Sequence, residues 1–115
     1  MQVNDIRVFV PSKDYQESKL FYQAMGFKMD PASDDLSIFS NGSSTFFLLR
    51  YFNEEFAKNL MFQLIVPDIK EAFKVISNIE GFNIRYESIK AEPWGKVVYL
   101  WGPSGELWHV TELNR

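Results

Sequence analysis

The side chains of this sequence that could do chemistry are few, and they lie in alternating apolar runs. His109 is the only histidine, and Arg7, Arg50 and Gln63 are the polar residues of other such runs. An imidazole can serve as a general base or as a hydrogen-bond partner. An arginine can hold a carboxylate through two parallel N–H groups. This set predicts recognition of a small organic molecule, or proton transfer on one.

Several classes of site are excluded by what the sequence lacks. The absence of cysteine removes disulfides, thiolate nucleophiles and zinc–thiolate sites. No glycine-rich phosphate loop, G-x-S-x-G elbow or H-E-x-x-H helix occurs. The net charge of −3, with both signs interspersed, argues against a nucleic-acid partner. Without a leader peptide or a membrane-length apolar run, we expect a cytoplasmic protein with no membrane partner.

The elements that must position these residues are encoded in a repeat. Three short sequences, Val-Pro, Asp-x-x-Glu and Gly-Phe, occur twice in the same order, at 10–11, 14–17 and 26–27 and again at 66–67, 68–71 and 81–82. Each copy predicts a strand ended by proline, a helix capped by aspartate with a glutamate three residues later, and a left-handed glycine behind the helix. The chain therefore contains one strand–helix unit used two times.

The segments behind the two helices are also parallel. Alternating runs at 27–30, 35–40 and 44–51 match later runs at 82–88, 96–101 and 106–112, with Asn41-Gly42 and the turn at 103–105 between strands. The pattern predicts an α+β fold with βαβββ twice, in one domain of residues 1–115 with modules at about 1–52 and 59–115. The polar stretch at 53–55 is interpreted as the linker. A ferredoxin-like βαββαβ unit is the alternative, and it uses fewer strands after each helix.

The tail of the chain carries a family resemblance. The segment Glu92-Pro93-Trp94-Gly95, the aromatic strand through Tyr99, the turn Gly102-Pro103-Ser104-Gly105 and the following His109 are similar to the vicinal oxygen chelate superfamily. That superfamily includes glyoxalase I, bleomycin-resistance proteins and extradiol dioxygenases. The resemblance extends over essentially the whole chain. It implies an open, U-shaped, mostly antiparallel sheet around a ligand cavity, with helices outside, and a homodimer.

The resemblance also implies where a metal ion would be bound. Members with metal chemistry place one His, Glu or Gln ligand on each of four inner strands. The matching positions here are Arg7, Leu48, Met61 and His109. A cationic guanidinium, a leucine without donor atoms, a soft thioether and a single imidazole cannot chelate a hard or borderline ion. The sequence therefore predicts no metal site and no cofactor.

Alternation along the strands predicts which residues face the cavity. The opposite, helix-facing set is Val8, Phe47, Leu49, Phe62, Leu64, Trp108 and Val110. An aromatic-lined hollow with a few polar groups suits an uncharged or anionic, planar ligand, whose acidic end Arg7 or Arg50 could hold. The predicted ligand-binding residues on the cavity side are Arg7, Phe9, Leu48, Arg50, Met61, Gln63, Tyr99, Trp101 and His109.

Three functions are compatible with this cavity. The first is a metal-independent small-molecule-binding protein of the glyoxalase/bleomycin-resistance type, although basic rather than acidic inward charges disfavour bleomycin itself. The second is an enzyme, either a metal-free isomerase or lyase that uses His109 as base and Arg7 to polarise a carbonyl, or a lactoylglutathione-lyase-like enzyme. The third is a non-catalytic dimerisation domain. We favour the first and lean against catalysis, which the residues leave open but do not support.

Each candidate residue also has a structural explanation. His109 could pair with Arg7, a backbone carbonyl or a dimer neighbour, and Arg7 could pair with Asp5 or Glu112. The inward aromatic residues could be core. Trp94 could be a lid over the cavity or a dimer contact. The structure must decide between these alternatives.

Overall fold

The computed structural model describes residues 1–114 and shows an α+β fold. None of the helices in this range combines the length and the apolar character that crossing a membrane requires. The elements in chain order are β1 (Phe9–Pro11), α1 (Tyr15–Ala24), β2 (Lys28–Ser33), β3 (Leu36–Asn41), β4 (Ser44–Leu49), α2 (Glu54–Asn59), β5 (Met61–Ile65), α3 (Ile69–Ser77), β6 (Arg85–Tyr86), β7 (Lys90–Glu92), β8 (Gly95–Trp101) and β9 (Leu107–Leu113).

The strands form two sheets, one from each copy of the repeat. The first sheet has the order β1-β4-β3-β2, and the second has the order β5-β9-β8-β6, with β7 also paired to β8. In each sheet the first strand pairs in parallel with the last strand, and the other pairings are antiparallel. The doubled βαβββ order and the α+β class predicted from the sequence are confirmed.

One predicted strand is interrupted. The run at 82–88 was expected to be one strand, but only its residues Arg85–Tyr86 form a strand, and β7 follows beyond the run, on the same side of β8 after residues 87–89. The amide of Glu87 donates to the Tyr99 carbonyl within this gap, so the chain stays close to β8 while the regular ladder is broken.

The aspartate caps follow the repeat, but within residues 1–114 neither Glu17 nor Glu71 completes a capping box. Asp14 accepts a hydrogen bond from the Glu17 amide at the start of α1, and Asp68 accepts from the amides of Lys70 and Glu71 at the start of α3. The carboxylate of Glu17 does not reach back to its own cap. It accepts from the Asn83 amide instead, and so it links α1 to the second module.

Two predicted boundaries were wrong. The alternation of Ile6, Val8 and Val10 predicts a first strand that begins near Ile6, but Ile6 is 81% exposed and β1 starts at Phe9. The segment 53–55 was interpreted as a linker, but it starts α2, because the Asn53 side chain accepts from the Phe56 amide as a helix cap. This helix has a polar cap, two acidic residues in its first turn and only one buried residue, Ala57. Because so little of it is apolar, its sequence resembles that of a solvated loop.

The two modules share one core. The helix-side faces of both sheets and the buried faces of α1 and α3 meet in a single cluster of buried hydrophobic residues. Tyr22 of α1 stands at its centre, with its ring 4.9 Å from Phe46 of the first sheet and 5.7 Å from Trp108 of the second. The helix faces of the two sheets are therefore turned towards each other, and their other faces are turned outward.

A buried carboxylate crosses the boundary between the modules. Glu106, in the turn between β8 and β9, is 0% exposed. Its carboxylate accepts hydrogen bonds from the Tyr22 hydroxyl and from the Ser104 amide, and Trp108 Nε1 donates to the same hydroxyl at 3.0 Å. Each polar atom of this network has a partner, as burial of polar groups requires. Tyr22 is thereby tied to the second module by hydrogen bonds as well as by packing.

The turn that carries Glu106 is shaped around the carboxylate. A Cβ atom at Gly102 would lie 2.6 Å from the Glu106 carboxyl carbon, so any larger residue at this position would displace the buried carboxyl. The Ser104 hydroxyl accepts from the Lys13 amide, just before α1. The Gly-Pro-Ser-Gly turn is consequently a point of contact with the first module.

The buried carboxyl makes stability depend on pH. Burial raises the pKa of Glu106 above its ordinary value of 4.5. Because the folded state then holds this proton more tightly than the unfolded chain, the stabilising contribution is complete below the ordinary pKa and is lost as the pH rises through the raised one. We expect Glu106→Gln to gain stability relative to the wild type above pH 4.5, by up to about 1.4 kcal/mol per pH unit in that window.

Urea unfolding at a series of pH values measures this difference. Glu80→Gln is the matched control, since Glu80 is exposed and its replacement removes the same charge without touching the core. A stability difference between Glu106→Gln and the wild type that does not change with pH would contradict the expected linkage.

Candidate functional site

Five of the nine predicted ligand-binding residues are gathered on the outward face of the second sheet. The strand register places Tyr99, His109 and Gln63 in one row across β8, β9 and β5. Trp101, Leu107 and Met61 form the adjacent row. We call these six residues the open face of the second sheet. Regular strand pairing rather than a loop positions them, which favours a well-defined arrangement.

His109 lies at the middle of this open face. Its ring meets the Tyr99 ring edge to face, with 4.9 Å between the ring centroids. Its Nε2 atom is buried and has no hydrogen-bond partner among residues 1–114. A shallow hollow of about 210 Å³ is bordered by Met61, Phe62, Gln63 and His109. A buried ring nitrogen without a partner beside a hollow would gain a hydrogen bond if the ring turned towards a ligand.

Arg85 extends the open face at its far edge and was missed by the sequence analysis. It lies on β6 directly opposite Trp101, and its guanidinium carbon is 3.7 Å from the centroid of the Trp101 ring. A signal for Arg85 was present in the sequence, because the run at 82–88 alternates as a strand does. Pairing this run with the aromatic strand β8 would have placed Arg85 opposite an aromatic residue. The interruption after Tyr86 hid this register.

Arg7 and Phe9 lie on the other sheet. Arg7 Nε donates to Asp5 at 3.0 Å, and the guanidinium lies 5.3 Å from the centroid of the Phe47 ring. Phe9 packs edge to face on the same ring. Of the alternatives for Arg7, pairing with Asp5 is the one observed, and the predicted pairing of His109 with Arg7 is absent from the described residues 1–114. Arg7 and His109 are therefore parts of different surfaces.

Two other predicted placements were wrong. Leu48 was assigned to the cavity side, but it is 0% exposed in the core, whereas Phe47 pairs with Phe9 on the outward face and Leu49 follows it there. Arg50 lies beyond the end of β4, where Nε donates to Asp35 at 3.1 Å and the guanidinium lies over the Tyr15 ring. The strand β4 is apolar on both faces, so its alternation did not reveal which face is buried.

A metal ion of the kind that the family resemblance implies does not fit these residues. With the corrected register, the outward positions on β1, β4, β5 and β9 hold apolar residues, threonine, one glutamine and a single histidine. Within residues 1–114, no three His, Asp or Glu side chains come close enough to hold an ion. One imidazole with one amide cannot replace the usual three or four ligands. The chemistry of the open face is that of aromatic rings and hydrogen bonds.

A separate apolar cavity lies on the helix side of the second sheet. It has a volume of about 170 Å³ and is lined by residues of β5, α3 and the end of α1, with Asp68 and Glu71 at its rim. Asp68 is already engaged as the cap of α3, and the cavity contains no aromatic ring or arginine. It is therefore less suited than the open face to hold a planar polar molecule.

Solved structures similar to this chain share its fold at low sequence identity. A bleomycin-binding protein from bleomycin-producing Streptomyces verticillus, complexed with copper(II)-bleomycin, has a TM-score of 0.81 at 15% identity, over 99% of each chain. The antibiotic-binding protein TnmS3 from Streptomyces sp. CB03234 has a TM-score of 0.82 at 17% identity, over 99% of each chain. A lactoylglutathione lyase from Agrobacterium tumefaciens has a TM-score of 0.73 at 16% identity, over 97% of this chain and 95% of the other.

These structures have the fold of the vicinal oxygen chelate superfamily, and so does this chain. The resemblance inferred from the tail of the sequence is confirmed at the level of fold. No protein-family model matches the chain, and no curated protein matches it. Since proteins of this fold include both binding proteins and a lyase, the fold does not choose between these functions.

The donor set of the open face predicts the response to divalent ions. We expect Ni²⁺ and Zn²⁺ to leave the melting temperature of the protein unchanged, because a single imidazole offers too few ligands for tight binding. Differential scanning fluorimetry with and without each ion measures this. A rise in melting temperature that His109→Ala abolishes would show instead that the open face binds metal.

Proposed function

We propose that this protein is a metal-independent small-molecule-binding protein whose ligand lies on the open face of the second sheet. The observation that carries the proposal is the convergence of Tyr99, Trp101 and His109, with the Gln63 amide, on one regular surface without a metal-ligand set. Aromatic rings supply contact area, and a few polar groups set orientation, which is the usual composition of ligand sites.

Binding is better supported than catalysis by the same residues. The metal-free enzyme considered above needs His109 and Arg7 to act on one substrate. Arg7 lies on the first sheet and is paired with Asp5, so the described part of one chain does not bring the two together. A lactoylglutathione-lyase-like reaction would need a metal site that the donor set of the open face does not provide. The names of the similar binding proteins agree with this preference.

The ligand that suits this surface is a planar, uncharged or anionic organic molecule. The rings of Tyr99 and Trp101 offer apolar area, and the exposed Gln63 amide offers hydrogen bonds. No acidic side chain belongs to the open face, so a cationic drug would lack a counter-charge there. A bleomycin-type cationic ligand would require acidic side chains, so it does not suit the open face.

A change in melting temperature on ligand binding tests the proposal. A ligand present at 100 times its dissociation constant should stabilise the folded state by about 2.7 kcal/mol. We expect a screen of aromatic acids, aromatic amides and glutathione conjugates to yield stabilising compounds, and Trp101→Ala to reduce the ligand-induced shift. Scanning fluorimetry of both proteins with each compound measures it.

The matched control is Tyr51→Ala, since Tyr51 is an aromatic residue with 57% exposure outside the open face. Its replacement should leave the ligand-induced shift unchanged. If no compound of these classes stabilises the protein, or if the shift is the same in Trp101→Ala, the open face is not the binding site.

We also propose that the protein is a homodimer and is cytoplasmic. The outward faces of both sheets carry large exposed hydrophobic residues, among them Phe9 at 45%, Met61 at 63% and Ile65 at 51% exposure. Such surfaces in soluble proteins are commonly covered by a partner. A second copy that covers the open face would also turn a shallow hollow into an enclosed site.

Sedimentation equilibrium measures the mass of the assembly. We expect twice the 13.5 kDa of the chain. Met61→Lys places a charge on an exposed apolar position and should shift the equilibrium towards monomer, whereas Lys58→Ala on the neighbouring helix α2 should not. A single-chain mass for the wild type across the micromolar range would contradict the dimer.

A further inference from the structure

We infer that Arg85 is the residue that selects the ligand of the open face, by holding the carboxylate of a planar aromatic acid. This inference rests on the proposed binding function and adds the chemical class of the ligand. It originates from the contact between Arg85 and Trp101, in which the guanidinium carbon lies 3.7 Å from the indole centroid. No sequence motif marks Arg85.

Arg85 differs from the other arginines of the described chain in its charge environment. Arg7 is bound to Asp5, and Arg50 is bound to Asp35 and to the Asp34 carbonyl. Arg85 makes no ion pair and no side-chain hydrogen bond within residues 1–114. Of the three guanidinium groups between residues 1 and 114, that of Arg85 is therefore the one whose donors are not already used.

The stacked geometry suits recognition of a carboxylate. The face of the guanidinium is occupied by the indole ring, while its N–H groups project from the edge of the plane. A guanidinium is weakly hydrated, so an anion can displace its water at moderate cost, and its fork matches the two oxygens of a carboxylate. Stacking on Trp101 also restricts the side chain before the ligand arrives, which lowers the entropy lost on binding.

The register of the sheet sets the size of the ligand. Arg85, Trp101, Leu107 and Met61 lie on the four successive strands β6, β8, β9 and β5. Strands are about 4.8 Å apart, so three spacings make a row of about 14 Å. A carboxylate held at the edge of the Arg85 guanidinium would place a body of two or three fused rings beside the Trp101 ring and over Leu107, with its far end near Met61.

The adjacent row supplies the polar contacts that such a molecule could use. Tyr99, His109 and Gln63 run parallel to the first row across the same strands. The exposed Gln63 amide can meet a hydroxyl or carbonyl substituent on the ring body, and the buried Nε2 of His109 can add a second hydrogen bond if its ring turns outward. The ligand class is therefore a flat aromatic carboxylic acid, with polar substituents along one edge.

An acid and its neutral isostere distinguish this inference from general aromatic binding. We would titrate ¹⁵N-labelled protein at neutral pH with 2-naphthoate and, separately, with 2-naphthamide, and follow the indole N–H resonance of Trp101. We expect 2-naphthoate to bind about tenfold or more tightly than the amide, as a charge-assisted pair contributes. Arg85→Gln should lower the affinity for 2-naphthoate to that of the amide and leave the affinity for 2-naphthamide unchanged.

Arg7→Gln and Arg50→Gln are the matched controls, because each removes the same unit of charge from an arginine already paired with aspartate. Both should retain the preference for the acid. Unchanged binding of 2-naphthamide to Arg85→Gln shows that this variant is folded. Arg85→Lys should retain only part of the preference, since an ammonium lacks the fork and the stacking.

Two results would overturn the inference and leave the proposed function intact. One is equal affinity of the wild type for the acid and the amide, and the other is a preference for the acid that persists in Arg85→Gln. If neither compound perturbs the Trp101 resonance at millimolar concentration, both the inference and the proposed binding surface are wrong.

Discussion

The hydrogen-bonded group of Glu106, Tyr22 and Trp108 is the constraint on which the rest of this molecule depends. Tyr22 belongs to α1 of the first module, and Glu106 and Trp108 belong to the end of the second. A buried carboxylate is tolerated only when its oxygens are satisfied, and loss of a partner leaves an unsatisfied buried group at a cost of about 1–3 kcal/mol. The modules are thus held in one relative orientation by polar contacts that hydrophobic packing alone would not specify.

This orientation determines which surfaces remain for function. With the helix sides of both sheets packed against each other, the opposite faces are left outward, and they carry exposed aromatic and aliphatic side chains. On the first sheet the outward face holds Arg7, Phe9 and Phe47. The charge of Arg7 is already paired with that of Asp5. On the second sheet the outward face holds the aromatic rows and Arg85, whose charge is not neutralised within residues 1–114. The two faces therefore differ in electrostatics although they come from copies of one unit.

The similar structures show how little the fold alone says about activity. The same arrangement of modules serves a protein that binds copper(II)-bleomycin and an enzyme called lactoylglutathione lyase. On the outward strands of the second sheet of this chain, rings, an amide and a thioether stand beside a single imidazole. Those residue types favour non-covalent recognition of a flat molecule over Lewis-acid chemistry.

Much of the architecture could be predicted from the sequence because its signals are local. The Asp14 and Asp68 caps, the prolines behind the first strands and the turn residues act within a few positions, so the doubled βαβββ order followed directly from them. The prediction of no metal site rests on residue types alone, since neither face of β4 offers a donor that binds metal strongly, and the corrected register leaves that prediction unchanged. The short helix α2 was missed because its cap and acidic first turn resemble a loop.

The sequence by itself thus determined which residue types are present and the order of helices and strands. Only the tertiary structure decided which face of a sheet each side chain lies on and which residues it contacts. The burial of Leu48 depends on which side of an all-apolar strand meets α1, and the stacking of Arg85 depends on its register with Trp101 across an interrupted strand. The neutralisation of Arg7 and Arg50, and the availability of Arg85, likewise depend on which carboxylates lie nearby in space. These are long-range pairings, and no local pattern of residues encodes them.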